Sequence, residues 1–111
     1  MDEGKLLRIL KALAHPRRFR MIREIAAAGE LSCSQLGECF TLSQPTVSHH
    51  LKILGDAGLL LVRHKAQHHF ISLNRALIDE VLEFLPARLD PLGEQKPASP
   101  RRKPVKGASA K

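Results

Sequence analysis

The stretch Thr41-Leu42-Ser43-Gln44-Pro45-Thr46-Val47-Ser48-His49-His50-Leu51-Lys52-Ile53-Leu54 carries a helix start signal and two faces of unlike chemistry. Ser43 has the side chain of an N-cap, and Pro45 falls in the first turn, where a missing N–H is harmless and a fixed φ suits the helix. At 100° per residue, Val47, Leu51 and Leu54 share one stripe, while Pro45, Ser48, His49 and Lys52 fall roughly opposite. The apolar stripe has to be covered by the rest of the chain. The other stripe offers hydroxyl, imidazole and ammonium groups without a carboxylate, which suits phosphates and base edges in a DNA major groove. The chain is thereby constrained to act as the scaffold of a recognition helix.

The flanking segments are read in the same way. Leu6, Leu7, Ile9, Leu10 and Leu13 predict a strongly apolar first helix that ends near His15-Pro16, because a residue before proline avoids the α region. Pro16 opens a second helix with Phe19, Ile22 and Ile25/Ala26 facing inward, stopped by Gly29. Arg17, Arg18, Arg20 and Arg23 on it fit either a solvated face or phosphate contact. Ser32 and Gln35 have capping-box spacing and open a short third helix with Leu36, Cys39 and Phe40 directed inward. A break at Thr41-Leu42 leads directly into the recognition helix, which is helix-turn-helix spacing. After Gly58, residues 59–64 and 69–73 read as two strands of a hairpin with the tip Lys65-Ala66-Gln67-His68, a β-wing beside the duplex. Asn74 then caps a last helix from Arg75 to about Leu85, ended by Pro86. The expected fold is mainly α with a β-hairpin wing, a winged helix-turn-helix of order α-α-α-α-β-β-α, acting as a homodimer.

Length and charge bound the alternatives. The 111 residues suffice for one modest core. Trp and Tyr are absent, which disfavours stacking on single-stranded nucleic acid. Of the formal charge of +7, residues 93–111 supply most, with six Lys/Arg against one Glu. Local placement of charge therefore carries more weight than the total. Those residues are rich in Pro, Ala, Ser, Gly, Lys and Arg without apolar periodicity, so residues 1–92 are read as the DNA-binding and dimerisation domain and 93–111 as a disordered basic tail. No apolar run approaches the roughly 20 residues of a membrane span. The N-terminus has no signal-peptide pattern, and a cytoplasmic protein is expected.

The strings Leu10-Lys11-Ala12-Leu13-Ala14-His15-Pro16-Arg17-Arg18 and Ser43-Gln44-Pro45-Thr46-Val47-Ser48-His49-His50-Leu51-Lys52, followed by Ala57-Gly58-Leu59, resemble the ArsR/SmtB family of winged-helix repressors over about residues 5–85. The resemblance implies a winged helix bound to double-stranded DNA and dimerisation through the first and last helices. That agrees with their surplus apolar residues, Leu6, Leu10 and Leu13 in the first and Ile78, Leu82 and Leu85 in the last. The family's inducer sites do not carry over. Where arsenic-sensing members have Glu-Leu-Cys-Val-Cys-Asp-Leu-Cys, this chain has Glu30-Leu31-Ser32-Cys33-Ser34-Gln35-Leu36-Gly37, and its last helix offers Asp79, Glu80 and Glu83 without histidine. Carboxylates alone make a poor site for a borderline-soft metal, so no metal or cofactor is assigned.

The candidate DNA contacts are Ser43, Gln44, Pro45, Thr46, Ser48, His49, His50 and Lys52 from the recognition helix and Arg63, Lys65 and Gln67 from the wing. The histidines His64, His68 and His69 cluster near the wing tip, where partly cationic groups beside DNA explain them better than a metal does. Ser48-His49 is no hydrolase pair, since helical neighbours point about 100° apart and no orienting acid accompanies them, and no enzyme activity is expected. Cys33 and Cys39 are six residues apart, about 120° around a helix and about 9 Å along it. They do not meet the separation of about 7 Å that a disulfide requires. They are read as structural or, alternatively, as a redox switch in which Cys33 is the more acidic thiol because it lies near a helix N-terminus. The leading reading is a dimeric repressor whose small-molecule or redox inducer is open. The alternatives are a thiol-responsive repressor and a winged-helix protein-interaction module.

Overall fold

The computed structural model describes residues 1–90, and the basic tail assigned to 93–111 lies outside them. The elements run α1 (Glu3–Leu13), α2 (Pro16–Ala28), β1 (Leu31–Ser32), α3 (Cys33–Phe40), α4 (Gln44–Asp56), β2 (Leu60–Lys65), β3 (His68–Leu73) and α5 (Arg75–Leu89). The strands form one antiparallel sheet in the order β1-β3-β2. The expected order lacked β1. Two residues are too few to show a period of two, and β1 exists only because β3 offers it a free edge, with Leu31 opposite Ile71 and Ser32 opposite Phe70.

Each helix begins where a side chain accepts an otherwise orphaned N–H. Asp2 caps α1 by accepting from the Lys5 amide at 2.7 Å, and His15 caps α2 through Nδ1, which accepts from the Arg17 amide at 3.1 Å. Ser32 and Gln35 close the anticipated capping box on α3, at 3.1 and 2.8 Å. Ser43 caps α4. Asn74 ties three elements together: Oδ1 accepts from the Leu77 amide, Nδ2 donates to the Gly58 carbonyl at 2.9 Å, and its own amide donates to the Leu59 carbonyl at 2.8 Å. The start of α5 is thereby fixed to the end of α4.

The core draws on every helix and on the sheet. Ile9, Met21, Ile25, Leu36, Val47, Leu54 and Leu59 are fully buried, with Leu60, Ile71, Leu77 and Val81 closing the far side. Two inward assignments are corrected. Phe19 is 49% exposed and Cys39 is exposed, while Met21 and Gly37 are buried. At 100° per residue Phe19 lies roughly 115° from the centre of the Met21/Ile22/Ile25 stripe, and Cys39 roughly 105° from that of Leu36/Gly37/Phe40.

Pro86 does not end the last helix, which continues to Leu89. The bond that the proline lacks would have gone to the carbonyl of Leu82, and both residues are exposed, so losing it costs less than it would in a buried helix. The Asp90 amide donates to the Pro86 carbonyl at 3.0 Å and closes the final turn. The hairpin tip is also tighter than expected. Lys65 and His68 are paired strand residues, leaving Ala66-Gln67 as a two-residue turn with Ala66 at φ +56°.

Candidate nucleic-acid interface

Helices α3 and α4 meet through Thr41-Leu42-Ser43. Thr41 adopts the left-handed conformation at φ +54°, and the Leu42 amide donates back to the Gly37 carbonyl at 3.0 Å. The turn folds this closely because residue 37 is glycine. A β-carbon there would lie 3.3 Å from the Leu42 carbonyl oxygen and collide with Nε2 of Gln44. Val47 and Leu54, both fully buried, clamp α4 on the core from one side. Ser43, Gln44, Pro45, Ser48, His49 and Lys52 consequently stand exposed on the other, as the periodicity predicts.

Within this face the groups differ in freedom. Ser43 Oγ accepts from the Thr46 amide and lies 3.0 Å from Thr46 Oγ1, and Thr46 is half-buried, so both hydroxyls already serve the cap. Lys52 reaches Asp56 one turn later at 3.2 Å. Both ends of that pair are well exposed, and such i,i+4 pairs are worth only about 0.3–0.5 kcal/mol, so a phosphate can compete for the ammonium. Ser48 and His49 have exposed side chains at the centre of the face.

One expected contact lies elsewhere. His50 is only 7% exposed and sits on the inner side of α4, with its ring 5.0 Å from that of His15. Its Nδ1 is buried without a hydrogen-bond partner among the described residues. Position 50 lies about 40° beyond Leu54 at the edge of the inward stripe, and the doublet His49-His50 places one ring on each face. Burial pushes the His50 pKa below its ordinary value, and the positive charges of His15, Arg18, His49 and Arg17 push in the same direction. Arg63 is exposed but engaged within the protomer. Its Nε and Nη2 donate to the two carboxylate oxygens of Glu30 at 3.1 and 2.8 Å, and its guanidinium lies over the Phe70 ring at 4.8 Å. It fastens the wing to the segment before α3. The same hydrogen bonds hold the Glu30 carboxyl below its usual range.

The wing tip presents Lys65 and Gln67, both exposed. His64 and His69 are cross-strand partners whose rings meet edge to face at 4.4 Å, and His68 lies beside Phe70. Cys33 opens α3 half-buried, and burial raises its thiol pKa above the ordinary value, opposite to the acidification expected from the helix dipole. Desolvation of the thiolate outweighs the backbone hydrogen bond that favours it.

The expected dimer residues divide similarly. Leu6, 3% exposed, is consumed inside the protomer, because it shares the α1 stripe of Ile9. Leu10, Leu13, Ile78 and Leu85 are partly buried against the core, whereas Leu82 is 65% exposed. Leu7 and Leu89 are further exposed apolar residues on the same two helices. Their signal in the sequence was a leucine beyond the number one stripe can hold.

Residues 13–63 match the family profile described as a helix-turn-helix domain, which spans the end of α1 through the first half of β2. The chain is 36% identical over 85 residues to the arsenical resistance operon repressor of Staphylococcus aureus, covering 77% of this chain and 81% of that protein. Among solved structures, reduced HlyU from Vibrio cholerae superposes with a TM-score of 0.63 at 34% identity, over 78% of this chain and 88% of the other. An ArsR-like transcriptional regulator from Rhodococcus superposes with a TM-score of 0.68 at 21% identity, over 79% and 85%, and shares the fold. No helix among the described residues is long and apolar enough to cross a membrane. With a helix-turn-helix, a hairpin wing and repressors as relatives, the chain belongs to the ArsR family of winged helix-turn-helix transcriptional repressors and is a DNA-binding regulator, not an enzyme.

Proposed function

We propose that the protein is a homodimer in the cytoplasm that represses by covering a pseudo-palindromic operator. Gln44, Ser48 and His49 read base edges in the major groove, and Pro45 and the capped Ser43-Thr46 pair fix the approach of α4. Lys52, Lys65 and Gln67 hold phosphates. One observation supports this assignment most: Val47 and Leu54 are fully buried while Gln44, Ser48, His49 and Lys52 on the same helix are exposed. The exposed apolar residues Leu7, Leu82 and Leu89 on α1 and α5 supply the surface for the second protomer.

A dimer of this kind demands two half-sites separated by about 10 bp or a multiple of it. Selection from a pool of random duplexes tests the proposal without knowledge of the operator. The expected result is an inverted repeat, recovered by the wild-type protein and blurred at particular positions by Ser48→Ala or His49→Ala. Recovery of sequences without two-fold symmetry, or equal retention of all duplexes, would overturn it.

A further inference from the structure

Beside the recognition helix, α1, α2 and the end of α4 border an open recess of about 340 Å³. Its carbon surface comes from Ala12, Ile53 and Ala57, and its charge from Arg8, Lys11 and Arg18. Arg8 and Lys11 are exposed one turn apart on α1. Arg18 is oriented by donating Nε to the Ala12 carbonyl at 2.7 Å and reaching the Lys11 carbonyl through Nη2 at 3.5 Å. None of these three cations has a carboxylate partner among the described residues. The one carboxylate of the recess, Asp56, is paired with Lys52.

From this arrangement we infer that the recess is a binding site for a small amphipathic organic acid, with its carboxylate among Arg8, Lys11 and Arg18 and its hydrocarbon body over Ala12, Ile53 and Ala57. The volume lies at the low end of the roughly 300–1,000 Å³ of small-molecule sites. An aromatic or medium-chain carboxylic acid matches it in size and polarity, whereas an uncharged hydrocarbon would leave the cations unanswered. The Arg18 guanidinium, oriented by two backbone carbonyls, and the exposed Arg8 and Lys11 can meet a carboxylate without first breaking an ion pair. Because the floor includes two consecutive turns at the end of α4, an occupant acts on the pitch of the recognition helix relative to α1. The inference adds a ligand to the DNA-binding reading. Its test does not depend on that reading, because binding is measured without DNA.

Titration calorimetry of the full chain with sodium octanoate, against octanol as the uncharged control, tests the site. The variant is Arg8→Glu/Lys11→Glu, two exposed positions whose exchange leaves the core untouched. A saturable octanoate signal that weakens at least tenfold in the variant, with none for octanol, is the expected result. Absence of a saturable signal at millimolar octanoate, or equal affinity in wild type and variant, would refute the site. So would a variant that binds octanoate unchanged while losing affinity for every duplex alike, since the cations would then serve DNA phosphates. A second variant, Ile53→Glu, places a carboxylate at the floor and should abolish octanoate binding while the melting transition shows that the chain still folds.

Discussion

The ring of His50 on the buried side of α4 lies 5.0 Å from the ring of His15, the residue that caps α2, so the recognition helix leans on the start of another helix through two imidazoles. His15 Nδ1 accepts from the Arg17 amide at 3.1 Å. Burial of His50, and then the nearby charges of Arg18 and Arg17 and the charged forms of His15 and His49, disfavour its protonation.

Stability should therefore fall on acidification. A base whose folded pKa is depressed below its ordinary 6.5 takes up its proton more readily in the unfolded chain, so its contribution is complete above about pH 6.5 and is lost as the pH drops toward the folded value. Urea midpoints at about pH 7.5 and pH 5 should differ in wild type and differ less in His50→Leu, which keeps the packing and removes the orphaned Nδ1. Equal pH dependence in both proteins would exclude His50 as its source.

At Gly37 the expected effect is on recognition more than on stability. In Gly37→Ala the gain in helix propensity, about 1 kcal/mol, offsets the close approach to the Leu42 carbonyl, while Gln44 has to swing away from the new methyl group. Duplex selection should return an altered preference at the base pairs facing Gln44, with a melting temperature near that of wild type. Gly37→Val, which cannot be accommodated by Gln44 alone, should cost about 1–3 kcal/mol by overpacking the turn.

Thr41 and Ala66 both hold a positive φ without being glycine. A β-branched residue in that region is strained, and the left-handed conformation costs an L-residue roughly 1–2 kcal/mol. Thr41→Gly and Ala66→Gly should each raise stability by about 1 kcal/mol after the greater entropy of the unfolded glycine is allowed for, read as a shift of the denaturant midpoint at constant slope. A lowered midpoint in either variant would count against the strain.

Glu30 separates two roles for Arg63. If Arg63 only ties the wing down, Glu30→Ala and Arg63→Ala should weaken duplex binding alike and cost less than about 1 kcal/mol of stability, as befits an exposed pair. Had Arg63 been a phosphate contact, Glu30→Ala would free it and tighten binding. Lys65→Ala should act differently from both, weakening all duplexes uniformly and lowering the salt slope by about one.

Leu82→Glu tests the dimer. The side chain is exposed in the protomer, so the exchange should leave the melting of a monomer intact while sedimentation changes from dimer to monomer at micromolar concentration. A wild-type protein that already sediments as a monomer would remove the basis for a symmetric operator.

Much of the architecture was legible because its signals are local. Ser32/Gln35, Ser43/Pro45 and Asn74 mark helix starts by chemistry that acts within three residues, and the Val47/Leu51/Leu54 stripe needs only the helical repeat. What escaped depends on partners distant in sequence. β1 exists through β3, some forty residues on, and Arg63 meets Glu30, 33 residues earlier in the chain. His50 was assigned outward by its membership of a polar string, although its angular position, about 40° from Leu54, already placed it at the edge of the inward stripe. For Leu6, Leu10 and Leu82 the sequence shows an excess of leucine but not which members of the excess the protomer keeps.

Ser32 belongs at once to β1 and to the cap of α3, and the strand it sits in is hydrogen-bonded to the wing. In the proposed complex, α4 on one side of the duplex and the hairpin on the other are therefore forged as one caliper with a fixed opening. When groove width differs from that opening, the DNA has to deform, and the cost depends on the stiffness of base steps that no side chain reaches. Operator preference should extend into the steps between helix and wing, and swapping flexible for stiff steps there should change affinity although every direct contact is kept.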